Sequence, residues 1–180
     1  MSPFQEFTLQ HSAAYLPALK GVAIVGSLWN AGSMTTAYRL LPSIYPIVQK
    51  SSKDAAKQWE FYYWALSATV PVTDLATILV CGGLAYVGHK ENKDGLPWKL
   101  WASAVGIMPI GWVWVWTMML GPSNKLLAIA HPDGMEVEKK DSSSDRQKTI
   151  DLLKEFNSLM MVRMTFPWIV GGIALWASGL

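Results

Sequence analysis

The sequence is poor in cysteine, histidine and charge. Of 180 residues one is cysteine and three are histidine, and charged side chains make up 16%. The single cysteine, Cys81, excludes an intramolecular disulfide, and no Cys/His cluster has metal-ligand spacing. Soluble domains carry about a quarter charged residues, so the deficit points to a chain whose solvent is lipid. The net charge of +2 is too small to argue for nucleic acid, and no basic patch is interleaved with stacking aromatics. No Ser/His/Asp set, Gly-rich phosphate loop or haem ligand pair is present. Residues 1–15 are polar and mixed, and they lack the Lys/Arg-rich start of a signal peptide.

What the chain does have is tryptophan, ten of them, and long uncharged runs. Leu100–Leu120 passes without one charge, and at ~1.5 Å rise per residue that run crosses the ~30 Å hydrocarbon core. Pro109 lies in its middle, which membrane helices tolerate better than soluble ones. Gly121 and Pro122 are expected to stop it. Trp112 and Trp116 stand four apart and share one face. Three further spans are expected, which gives an all-α, integral membrane four-helix bundle in a single domain. The spans fall at about 16–41, 61–88, 98–120 and 156–179, with a loop at 121–151. Trp59, Tyr62, Tyr63 and Trp64 form an aromatic belt before the second span. Residues 42–58 read as a polar connector, His89–Gly95 as a hydrophilic turn, and Glu136–Lys148 as a solvated run.

Lysine and arginine set the orientation. The connectors after spans one and three hold Arg39, Lys50, Lys53, Lys57, Lys125, Lys139, Lys140, Arg146, Lys148 and Lys154. The opposite side holds Lys20, Lys90, Lys93 and Lys99. That excess places both large connectors in the cytoplasm and both termini across the membrane.

Charges inside a membrane cost ~2.5–3.5 kcal/mol each on insertion scales, so they mark function by default. Lys20, Arg39 and Lys99 lie near span ends, which leaves two candidates in the span interiors, Asp74 and Arg163. From the cytoplasmic ends Asp74 is expected ~20 Å deep and Arg163 ~10 Å deep, with Asn30 and Ser33 of span one at ~15 and ~10 Å. The long Arg side chain can bridge such a difference. The polar residues of three spans thus converge on one half of the bundle, with Trp116 and Asn124 on the fourth wall. Each also has a plainer role. Asp74 could bond backbone freed by Pro71 or pair with Arg163 as interhelical glue. Arg163 could snorkel to headgroups. Asn124 could shape a turn or cap a helix start. His131 could be a surface residue, and the Trp pair simple packing.

Several short motifs resemble the fungal anthrone oxygenase family. Four hydrophobic spans in about this length fit it, as does a QW…Y approach to span two, here Gln58, Trp59 and Tyr62. Pro122, Asn124 and Leu127 match a P-x-N-x-x-L turn after span three. Leu152, Leu153, Arg163 and Pro167 match an LL-x-x-W-x-x-x-N-x-x-R-x-x-x-P approach to span four, with Phe156 replacing the Trp and Met160 the Asn. Asn157 lies nearly one turn from the Met160 position.

The resemblance implies O₂-dependent oxidation of a polyketide-derived anthrone to an anthraquinone. It implies no metal, haem or flavin, with O₂ as co-substrate. Its partners would be an aromatic polyketide small molecule and the lipid bilayer. Arg163 suits oxyanion stabilisation, Asn124 a hydrogen bond to a phenol, and Asp74, or else His131, proton abstraction. Asn30, Trp116, Tyr62 and Asn157 complete the expected substrate site. Two rivals share these residues: a non-catalytic scaffold or transporter-like subunit, and an enzyme of the same scaffold acting on another aromatic polyketide, which the Met160 departure favours. The topology is directly testable. Glycosylation acceptors placed in residues 136–148 should stay unmodified and one added at the C-terminus should be modified; the reverse pattern would overturn the orientation.

Overall fold

The computed structural model describes residues 3–90, 97–132 and 142–179, with side chains from Tyr15 onward. Four long helical segments carry the chain. The first is α1 (Pro3–Leu40), followed by a 3₁₀ turn (Leu41–Ile44) and the short α2 (Tyr45–Val48). Then come α3 (Ser52–Lys90), α4 (Trp98–Trp114), a π-turn (Val115–Met119), α5 (Leu120–Ala130) and α6 (Ser143–Ser178). No strand occurs among the described residues. The fold class is the all-α, four-helix membrane bundle expected from the sequence. α1 packs on α3 and α6, and α4 packs on the same two, so the helices form a square whose diagonals barely touch.

Each long segment contains an internal proline: Pro17, Pro71, Pro109 and Pro167. Neighbouring helices and hydroxyl side chains re-satisfy the backbone that such residues free. The outer surface is apolar, with Phe61, Leu79, Trp116 and Trp176 largely exposed, as a lipid-facing surface requires. Three segments are long and apolar enough to cross a membrane: Ser52–Lys90, Trp98–Ala130 and Ser143–Ser178. The expected first span, about 16–41, is not among them. Asn30, Ser33, Thr35 and Thr36 dilute its second half, and it lies against α3 and α6.

Three boundaries differ from expectation. Gly121 and Pro122 do not stop the third helix, which continues to Ala130. The π-turn just before them explains this. A proline ring presses on the carbonyl four residues back, here Met118, and that carbonyl lies inside the widened turn. The Ser123 hydroxyl donates to the Met119 carbonyl at 2.7 Å, returning a bond to the same turn. The loop expected at 121–151 therefore shrinks to 131–142, of which 133–141 lie outside the described residues. Within the expected solvated run, Ser143–Lys148 is already helical. Ser142 caps it by accepting from the Asp145 N–H at 3.1 Å, while Asp145 Oδ2 accepts from the Ser142 N–H at 3.3 Å.

The connector 42–58 is likewise more ordered than a polar linker. Leu41, Ile44, Val48, Ala55 and Ala56 are buried, while Lys50, Lys53 and Lys57 face out, and α3 begins at Ser52 rather than near Phe61. The His89–Gly95 turn lies, from residue 91, outside the described residues.

Two cores result. The connector end packs large side chains, including Met34, Trp59, Leu126, Leu153 and Phe156. The opposite end packs small ones, with Ala23, Ala104, Ala174 and Ala177 beside Trp101 and Leu84. Small residues let membrane helices approach closely. At Gly26 α1 lies close against α3, because a Cβ there would stand 2.6 Å from Thr77 Oγ1. That hydroxyl is fixed by its bond to the Thr73 carbonyl at 2.8 Å. Gly26→Ala should destabilise by about 1–3 kcal/mol, the usual cost of overpacking. Gly83→Ala, where nothing lies within 4 Å, should be neutral. Unfolding midpoints in micelles check the difference.

Candidate functional site

Val70, Asp74, Thr77 and Cys81 are buried along one stripe of α3, so Asp74 points into the bundle. Its carboxylate accepts bonds from the other three long segments. Asn30 Nδ2 of α1 donates to Oδ1 at 2.7 Å, and Trp112 Nε1 of α4 donates to Oδ2 at 2.9 Å. Arg163 Nη2 of α6 donates to the same Oδ2 at 2.7 Å. The Thr73 hydroxyl bonds Asn30 Oδ1 and so orients that amide. Asp74 and Arg163 are 0% and 4% exposed, which makes this a buried ion pair in the membrane interior. The two charges, expected at different depths, meet at 2.7 Å.

Gly111 makes room for the guanidinium: a Cβ there would lie 2.6 Å from Nη1 and 3.0 Å from Cζ of Arg163. Nη1 itself has no hydrogen-bond partner among the described residues. A buried donor without an acceptor carries a desolvation cost, so the pair is not fully matched to its surroundings.

Asp74, Trp112 and Arg163 form the polar end of a cavity of ≈ 400 Å³. Its walls are Met34, Ala37, Val70, Val115, Met119 and Met160. Toward the connector it is closed by Leu41, Trp59 and Phe156, with the Trp59 ring meeting Phe156 edge-on at 5.2 Å and stacking on Tyr63 at 5.0 Å. The polar groups in the lining are few: Tyr62, Tyr63, Ser67 and Ser123 besides the ion pair and the indoles. Among the described residues no three His, Cys, Asp or Glu side chains gather as a metal-binding group would.

The expected site residues divide. Arg163, Asp74, Tyr62 and Trp116 line the cavity, as does Met160. Tyr62 Oη accepts from Gln58 Nε2 at 3.3 Å. Trp116 is 75% exposed and forms a lip of the cavity rather than an enclosed stacking wall. Asn30 does not line it but reaches it through Asp74. Asn124 is exposed and lies outside the lining, not on the fourth wall where it was expected. Because the helix continues, Met119, Pro122, Ser123, Leu126 and Ala130 form its inward stripe, and Asn124 is rotated about 100° from Ser123. Asn157 is also beside the cavity rather than in it, since Phe156, Met160 and Arg163 take the inward positions of α6. Its Oδ1 is buried without a partner among the described residues. His131 sits at the surface, 2.8 Å from Glu60 Oε2, and is not a group of this cavity.

Sequence reasoning missed Trp112 as a carboxylate donor, Thr73, Gly111 and the methionine walls. Trp112 alone had a signal, as a tryptophan inside a span with an indole N–H that needs an acceptor. Comparison with family models, with curated proteins and with solved structures finds no match for this chain.

The ion pair generates a stability cycle. Arg163→Met leaves Asp74 buried without its cation, and removing one partner of such a pair costs about 3–5 kcal/mol. Protein abundance in the membrane should fall. Adding Asp74→Asn removes the stranded charge and should restore it. Unchanged abundance in the single variant would remove the pair from the list of structural constraints.

Proposed function

We propose that the chain is a membrane-embedded oxidase that converts a polyketide-derived anthrone to an anthraquinone with O₂ and no resident metal, haem or flavin. The observation that carries the reading is one cavity with aromatic and methionine walls and a single charged end. Its volume of ≈ 400 Å³ falls in the ~300–1,000 Å³ range of small-molecule sites. The short motifs shared with anthrone oxygenases, from Gln58 to Pro167, supply the reaction class.

The chemistry asks little of a protein. An anthrone loses a proton from its central methylene, and the resulting anthrolate is electron-rich enough to pass one electron to O₂. The two radicals join at that carbon as a peroxide, which takes up a proton and expels water. The balance is CH₂ + O₂ → C=O + H₂O. The protein's part is to hold the flat ring, remove the first proton and steady the oxyanion. Arg163 is the cation at the polar end. A carboxylate offers about four acceptor sites, and Asp74 uses three, so Oδ1 keeps one for the methylene proton.

A second reading has its own observation. The Asp74–Arg163 pair is buried and bonded to two further helices, which is what interhelical glue in a non-catalytic bundle requires. Activity at restored abundance separates the two. Microsomes carrying the chain should turn an added anthrone into quinone, followed by absorbance and dependent on O₂. Arg163→Met/Asp74→Asn should lose at least ~10²–10³-fold of that rate, the usual loss for one oxyanion donor. Normal turnover in the double variant would sink the catalytic reading. Purified protein should carry no cofactor at one per chain, by metal analysis and visible spectrum; a tightly bound one would overturn the cofactor-free mechanism.

A further inference from the structure

The exposed residues of the cavity's lining lie at its side and not at its ends. The Asp74–Arg163–Trp112 cluster seals one end. Buried Trp59 and Phe156 seal the other, in edge-on contact. The lining residues that are exposed lie elsewhere: Ser67 and Pro71 on α3, Trp116 in the π-turn and Leu120 just after it. They face each other across the α3 and α4–α5 side of the square.

That side lies at hydrocarbon depth. Asp74 is the only charge between Phe61 and Gly88, and none occurs between Leu100 and Asn124. Pro71 lies a few residues from the middle of the first stretch, and Trp116 only a few from the middle of the second. At ~1.5 Å per residue both fall within half of the ~30 Å hydrocarbon core. The local backbone favours an opening there. Ser67 and Pro71 are small, and π-turns, which interrupt helices mostly at functional sites, swing the following side chains out of register.

We propose that the cavity is loaded sideways from the bilayer, through the gap between α3 and the π-turn, by a planar apolar molecule dissolved in the hydrocarbon. This rests on the reading of the cavity as a small-molecule site and names its source: the ligand leaves lipid, not water. On the way in it passes uncharged lips and meets charge only at Arg163 and Asp74. Trp116, with its large exposed ring at the lip, is the surface on which a flat molecule can lie before it enters.

The test uses a phosphatidylcholine with a benzophenone at the end of one acyl chain, reconstituted with the whole chain in vesicles. Its headgroup is held at the membrane surface, so the benzophenone reaches the cavity only from the side. After irradiation, peptide mass spectrometry should find label on the buried walls, Met34 and Met160. Ser67→Trp, which fills the gap from an exposed position, should reduce that label to background. Val113→Trp, equally lipid-facing but away from the cavity, should leave it unchanged. Label confined to outward residues such as Val113 and Trp168 in all three proteins would overturn lateral loading. Quinone formation from free anthrone in the same vesicles keeps the two ideas apart. Turnover with only outward label overturns lateral loading and leaves the oxidase reading standing. Wall label lost in Ser67→Trp without any turnover upholds lateral loading and defeats the oxidase reading.

Discussion

A carboxylate in the middle of a membrane bundle has to be answered by donors, and Asp74 is answered by all three other long segments. Insertion scales charge ~2.5–3.5 kcal/mol for an acid at this depth, and the bonds from Asn30, Trp112 and Arg163 offset it. Each donor comes from a different helix, so the single anion fixes four axial positions at once. A slip of any helix by one turn would move its donor about 5.4 Å, beyond hydrogen-bond reach. Dispersion between apolar helices in lipid tolerates such slips; this cluster does not. It is a register lock as much as a candidate site.

The cavity follows from what lies on either side of that lock. On one side alanines and Gly26 draw the helices together. On the other, Trp59, Phe156, Met119 and Met34, four large side chains of unlike shape, line the void. Methionine suits such walls because its flexible thioether adapts to different contents. A bundle packed through small residues at one end and large ones at the other places its void directly against the only buried charges among the described residues. Binding and chemistry could therefore share one location without any loop contributing to it.

The sequence made the lock partly visible, for a simple reason: charge in an uncharged run is conspicuous. Asp74 and Arg163 stand out in that way, and Asn30 falls at a compatible depth. Trp112 does not, because a tryptophan in a span is equally at home as packing. Asn124 was misplaced because Gly121–Pro122 reads as a helix stop, and the π-turn that absorbs the proline is a backbone register with no residue signature. The same turn lengthened the third helix to Ala130 and shortened the loop. The buried connector shows a related gap: Leu41, Ile44 and Val48 stand at helical spacing, but the prolines and lysines among them read as a polar linker. The cavity was the least legible part, since a void depends on how side chains from distant positions fail to fill space.

The helices are longer than a bilayer is thick. At ~1.5 Å per residue α3 and α6, with 39 and 36 residues, extend over ~58 and ~54 Å, against a hydrocarbon core of ~30 Å. The surplus at the connector end carries Lys50, Lys53, Lys57 and Lys154 outside and the cluster of Leu41, Ile44, Trp59 and Leu153 inside. That end is a small water-soluble core seated on a lipid-soluble bundle, and the two halves cohere by different forces. Apolar burial from water carries a large heat-capacity change and weakens on cooling. Packing against lipid carries no such hydrophobic drive between helices. Cold should therefore loosen the cavity's connector-side cover while the Asp74 lock beneath it holds.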